Sequence, residues 1–133
     1  MIKKIDHIGL AVKSLDQTLG FYRDALGIQP SSIEDVASEK IRSAFLNVGD
    51  AHFEVMEPTS PESPVAKFLE KRGEGMHHIS LEVDDIRAEL KKLEAQGVAL
   101  IDREPRMGAH YIVAFIHPRS TGGVLIELTE KTK

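Results

Sequence analysis

Two histidines and two glutamates stand at matched places in this chain of 133 residues. His7 lies in Ile5-Asp6-His7-Ile8-Gly9-Leu10-Ala11-Val12, and the pattern returns 71 positions later, from 7 to 78, as Met76-His77-His78-Ile79-Ser80-Leu81-Glu82-Val83. Glu54 lies in His52-Phe53-Glu54-Val55-Met56-Glu57, which returns 73 positions later, from 54 to 127, as Leu125-Ile126-Glu127-Leu128-Thr129-Glu130. Both glutamates have apolar neighbours on either side, and a carboxylate facing a dry interior without a partner is heavily penalised. A divalent metal removes that penalty. Two neutral imidazoles with two carboxylates form a mixed nitrogen and oxygen donor set suited to Co, Ni, Mn, Zn or Fe, with positions left for water or substrate. Taken singly, a strand glutamate reads as the solvent face of a half-buried strand, and a lone histidine as a surface or hydrogen-bonded group. The recurrence of both types at equivalent places selects the metal reading for His7, Glu54, His78 and Glu127. His77 faces away from His78 on the same strand and reads as a structural or supporting residue. His52 shares the face of Glu54 and is a weaker candidate ligand.

The elements that must carry these residues follow from periodicity. Residues 4–12 alternate as a strand with Ile8, Leu10 and Val12 on one face and His7 on the other. Ser14 is placed to cap a helix over 15–26, with Leu15, Leu19, Tyr22 and Leu26 at helical spacing and Gly27 as its stop. Residues 41–48 and 51–56 read as strands joined by a turn at Gly49-Asp50. The second half repeats the order, with a strand over 76–83, a helix over 85–96 and strands near 98–101, 111–116 and 123–129. Between the halves, Glu57 to Pro64 is a proline-rich connector leading into a short helix over 65–71. Each half reads as strand–helix–three strands. The predicted fold class is α+β, with two tandem βαβββ modules forming a curved mixed sheet around a metal site. One domain spans 1–133, with module one over 1–57, connector and short helix over 58–74, and module two over 75–130. Two copies are too few and too long for a solenoid of short repeats; they suggest modules related by a pseudo-twofold axis.

Composition bounds the remaining choices. The apolar fraction of 41% and charged fraction of 29% are those of a globular protein with a core of ordinary size. No run of about 18 apolar residues predicts a membrane span, and Lys3, Lys4 and Asp6 interrupt any secretory signal pattern. The absence of cysteine fits a cytoplasmic protein and leaves His, Asp and Glu as metal ligands. A net charge of −4 argues against general affinity for nucleic acid, while permitting a small anionic ligand in a local basic pocket. Dinucleotide, P-loop and nucleophile-elbow patterns are absent, and no organic cofactor is expected.

At these residues the chain resembles the vicinal oxygen chelate superfamily, and more narrowly its methylmalonyl-CoA epimerases. The resemblance runs through Asp6-His7-Ile8-Gly9, Phe21-Tyr22-Arg23-Asp24, the Ser63–Gly75 stretch, Met76-His77-His78-Ile79, and His117-Pro118-Arg119-Ser120 with the strand that follows. The short His and Glu motifs belong to the whole superfamily; the Ser-Pro helix, the His-His strand and the His-Pro-Arg-Ser block are specific to the epimerases. The resemblance implies a glyoxalase-like fold and one divalent metal per chain, cobalt first with nickel, manganese or zinc as alternatives. It places the ligands on His7, Glu54, His78 and Glu127. It also implies a CoA thioester substrate and a homodimer. One stretch departs from the family pattern: Gly108-Ala109-His110-Tyr111-Ile112 is about one residue shorter and lacks a lysine.

The implied reaction removes the proton on the carbon between a thioester and a carboxylate, then returns one to the opposite face. A cation at the developing enolate oxygen lowers the barrier, and proton transfer needs a base near each face. Glu127 is the first candidate for base and Glu54 the second. Relatives can bring a glutamate inward on the third strand, where this chain has Ser43. Lys67, Lys71, Arg72 and Arg119 are available for the CoA phosphates, with surface solvation the plainer role for any one of them. Two other readings stand beside this one: a glyoxalase-type lyase or isomerase on a thiol conjugate, and a non-catalytic ligand-binding protein of the same fold.

Overall fold

Alternation along the first strand separates its two faces, and the rest of each half is built on that separation. In the computed structural model, which describes residues 1–107 and 111–132, β1 (Ile2–Ala11) sends Leu10 toward one apolar cluster and Ala11 toward another. The chain continues through α1 (Leu15–Asp24), β2 (Ser32–Val36), β3 (Ile41–Val48), β4 (Ala51–Pro58) and α2 (Pro64–Arg72). The repeat then runs through β5 (Gly75–Val83), α3 (Ile86–Ala95), β6 (Arg106–Met107), β7 (Tyr111–Ile116) and β8 (Ile126–Lys131). Gly108, Ala109 and His110 of the shortened loop lie outside the described residues. The chain divides into a first unit, His7–His77, and a second unit, Met1–Asp6 with His78–Lys133.

In the first unit the strands hydrogen-bond in the order β2-β3-β4-β1, with β1 and β4 parallel and the other pairs antiparallel. Val12, Leu15, Leu19, Ala44, Leu46 and Val55 form the core under α1. On the other face, Ala11, Ile41, Met56 and Val65 are buried with Phe68 and Leu69 of α2 against them. In the second unit the order is β5-β8-β7-β6, again with one parallel pair, β5 with β8, and antiparallel neighbours. Its core gathers Val83, Ile86, Leu90, Ile112, Ala114 and Leu128 under α3. The α+β class, the mixed strand pairing and the repeated order match the sequence expectation. Among the described residues no helix is long and apolar enough to cross a membrane.

Three boundaries differ from the expectation. The first helix ends at Asp24 and leaves Leu26 54% exposed, because Gly27 at φ 71° turns the chain away. Residues 98–101 make only an isolated bridge, Leu100 to Ile116. The last strand starts at Ile126, after Gly122 and Gly123 at φ 77° and 97° hold the backbone in a turn. The strand Ser32–Val36 has no clear apolar alternation and is mostly exposed, which is why periodicity did not place it.

Both main helices begin in the same way. Ser14 accepts from the Gln17 N–H at 3.2 Å and Asp85 from the Ala88 N–H at 3.1 Å, satisfying one terminal donor each. A second donor is met from the sheet: Glu57 Oε1 accepts from Leu15 N, and Glu130 Oε1 from Ile86 N, both at 2.8 Å. Glu57 and Glu130 are repeat equivalents, each three residues past a candidate metal ligand. A carboxylate there meets both the unpaired N–H groups and the positive end of the helix dipole. Replacement of Glu57 or Glu130 by Ala is expected to cost about 1–2 kcal/mol each, read as a lower urea midpoint with unchanged slope.

His77 packs its ring edge-on to Phe68 at 4.8 Å, and burial holds its imidazole below the ordinary value of 6.5. The folded protein therefore keeps His77 neutral, while the unfolded chain takes up a proton as pH falls through about 6.5, so stability drops on the acid side. His77→Phe keeps the ring contact and removes this contribution. Its urea midpoint should fall less between pH 7 and pH 5 than that of the unmodified protein.

Candidate metal-binding residues

In the first unit, two adjacent parallel strands bring an imidazole and a carboxylate face to face. The β1–β4 register sets Gly9 opposite Glu54 and His7 opposite His52. Glycine at position 9 leaves no side chain between the strands at the level of the carboxylate. His7 Nε2 lies 3.5 Å from Glu54 Oε1, with side-chain exposures of 10% and 16%. Two ligands each about 2.1 Å from one ion stand roughly 3.0–3.4 Å apart, so this pair is spaced as neighbours around a metal. His52 stacks on His7, with ring centroids 5.0 Å apart, and meets Phe45 edge-on at 5.7 Å. The stacking fixes the plane of the His7 ring. Phe45 lies opposite Glu54 across β3–β4, and the buried Ser43 donates from Oγ to Glu54 Oε2 at 3.2 Å.

The second unit repeats the register. Across β5–β8, Ser80 lies opposite Glu127, and across β7–β8, Phe115 lies opposite Glu127. Glu127 thus sits between a small residue and a phenylalanine, as Glu54 does. His78 and Glu127 are buried, at 4% and 7% exposure. Phe115 meets the His78 ring edge-on at 6.0 Å, and the Arg106 guanidinium lies 5.7 Å over the Phe115 ring. Asp102 holds Arg106 at 2.9 Å and also accepts from the Phe115 N–H. Ser80 is fully buried, and its hydroxyl makes no hydrogen bond among the described residues.

Each unit therefore presents one buried histidine and one glutamate on neighbouring parallel strands. Burying ionisable side chains on apolar strands is expensive unless a compensating charge is present. The donor chemistry and the hydroxyl of Ser80 fit a divalent cation. The candidate metal ligands of the structure are Asp6, His7, His52, Glu54 and His78. Asp6 was not foreseen as a ligand, and its carboxylate is engaged by Lys131 at 3.3 Å. The aromatic partners Phe45 and Phe115 were also unforeseen. They recur 70 positions apart, from 45 to 115, but their place opposite the two glutamates is set by the strand register alone.

Comparison with known proteins gives this geometry a context. The model of the Glyoxalase/Bleomycin resistance protein/Dioxygenase superfamily matches residues 6–115. The chain is 36% identical to the mitochondrial methylmalonyl-CoA epimerase of Homo sapiens over 129 residues, 96% of this chain and 73% of that protein. Its fold superposes on the crystal structure of methylmalonyl-CoA epimerase from Mycobacterium tuberculosis with a TM-score of 0.91 at 38% identity, covering 99% of this chain and 90% of the other. A variant of Streptomyces coelicolor methylmalonyl-CoA epimerase in complex with 2-nitronate-propionyl-CoA gives a TM-score of 0.89 at 35% identity, covering 98% and 96%. With most of its length matched by the family model and nearly all of it by these enzymes, the chain belongs to the Glyoxalase/Bleomycin resistance protein/Dioxygenase superfamily, as a homologue of its methylmalonyl-CoA epimerases.

Proposed function

We propose that this protein is a metal-dependent epimerase that interconverts the stereoisomers of methylmalonyl-CoA. The observation that carries the proposal is the near full-length likeness to methylmalonyl-CoA epimerases, joined to a buried histidine and a glutamate in each unit. One divalent metal per chain, cobalt first, with nickel, manganese or zinc as alternatives, would be held by His7, Glu54, His78 and Glu127. When bound, such an ion supplies Lewis-acid stabilisation of the charge that develops on the substrate oxygens.

The chain's own groups move the proton. A carboxylate oxygen of Glu127 takes the α-proton, and the electron pair of the broken C–H bond passes into the enolate. Glu54, on the equivalent strand of the other unit, is the candidate for delivering a proton to the opposite face. Phe45 and Phe115, each directly across from one of these glutamates, shield the carboxylates from water. Lys67, Lys71 and Arg72 on α2 and Arg119 are the cations proposed to meet the phosphates of the CoA tail. A homodimer is proposed as the working form, in keeping with the half-exposed Ile2, Ile5 and Met76.

The competing glyoxalase-type reading uses the same donor set on a different substrate, and substrate choice separates the two. The cobalt-loaded protein in deuterated water should exchange the α-proton of methylmalonyl-CoA; failure to do so removes the epimerase reading. His78→Ala should lose metal and activity together, and full metal content in that variant by elemental analysis would reject the ligand assignment. Glu127→Gln should lose about 10²-fold or more in rate while keeping most of its metal. Sedimentation at micromolar concentration should return a dimer, and a monomer would reject the proposed assembly.

A further inference from the structure

The two glutamates are equivalent in the repeat, yet the strands that carry Phe45 and Phe115 differ beside them. On β3, two residues before Phe45, Ser43 lies opposite Met56. On β7, two residues before Phe115, Val113 lies opposite Thr129. Met56 and Thr129 each follow their glutamate by two, so Ser43 and Val113 are structural equivalents. A hydroxyl therefore approaches Glu54 at a place where the other half offers only methyl groups. Ser43 is fully buried, and its Oγ donates to Glu54 Oε2 at 3.2 Å while Oε1 of the same carboxylate faces His7 Nε2 at 3.5 Å. One oxygen is held from behind and the other is presented toward the histidine.

From this we infer that Ser43 is a positioning residue that fixes the rotation of the Glu54 carboxylate, so that a metal ion meets Oε1 alone. The inference rests on the metal-site reading above. A serine hydroxyl suits the task because it donates to one carboxylate oxygen and leaves the other to face the histidine. Without the hydroxyl, the terminal torsion of a glutamate is broad and nearly two-fold, and both oxygens become available to the ion. Partners of metal ligands of this kind commonly contribute about 10–100-fold in metal affinity or activity.

The test uses cobalt(II) as probe, with the affinity and the visible absorption of the bound ion as readouts. Ser43→Ala should bind Co²⁺ about 10-fold more weakly and shift the d–d bands, because the set of oxygens meeting the ion changes. In a Glu54→Ala background the same Ser43 change should add nothing, since its action passes through that carboxylate. Ser43→Ala with the affinity and spectrum of the unmodified protein would overturn the inference. So would an equal effect of Ser43→Ala with and without Glu54, which would mark a general packing role. A different failure, absence of Co²⁺ binding by the unmodified protein, would overturn the metal reading itself and take this inference with it.

Discussion

A carboxylate enclosed by apolar side chains needs compensation, and this requirement organises the molecule. Glu54 and Glu127 sit on strands whose alternate residues belong to the cores under α1 and α3. Their own faces of the strands must therefore carry polar partners. In the first unit these are His7, His52 and Ser43 around Glu54. In the second, Ser80 is opposite Glu127 and His78 is on the adjacent strand. The parallel pairing of β1 with β4 and of β5 with β8 follows from the same need, because it sets the histidine strand directly beside the glutamate strand. Helical crossovers and returning hairpins then complete each sheet.

The same strands that bear the candidate ligands also anchor the helices. Three residues beyond each candidate ligand glutamate, a second glutamate reaches the first N–H groups of α1 or α3. Three residues along a strand reverse the face, so one glutamate of each pair turns toward the helix layer and the other away from it. Each closing strand thus carries an acid on both sides, one tied to a helix terminus and the other a candidate metal ligand. A shift of register by one residue would exchange these roles and bury the wrong group on each face.

Most of the architecture was legible because the chain repeats itself. His7 with His78 and Glu54 with Glu127 were found by aligning the halves, and the strand register places their equivalents as that alignment requires. The cap of the first helix was legible from Ser14, whose side chain does accept from a helix donor, and Ser63 and Asp85 cap the other two α-helices in the same way. What could not be read were features set by pairing across strands. Phe45 and Phe115 gain their meaning only from lying opposite the glutamates, and β2 is specified by its partner β3 more than by its own exposed Ser-Ile-Glu-Asp-Val sequence. Stacking of His52 on His7 is likewise a product of the parallel register, invisible along the chain.

The compact units do not coincide with the repeat. Met1–Asp6 belongs with His78–Lys133, so the division falls between Asp6 and His7 and again between His77 and His78. Both junctions lie inside continuous strands, immediately beside a candidate ligand. Cutting the gene at the proline-rich connector would therefore release neither unit whole: the downstream piece would lack the opening strand segment, with Lys3 and Asp6 that pair with Glu82 and Lys131. The upstream piece would lose α2, whose Val65, Phe68 and Leu69 pack against Ala11, Ile41 and Met56. The duplication visible in the amino-acid order is therefore not the division by which the chain packs.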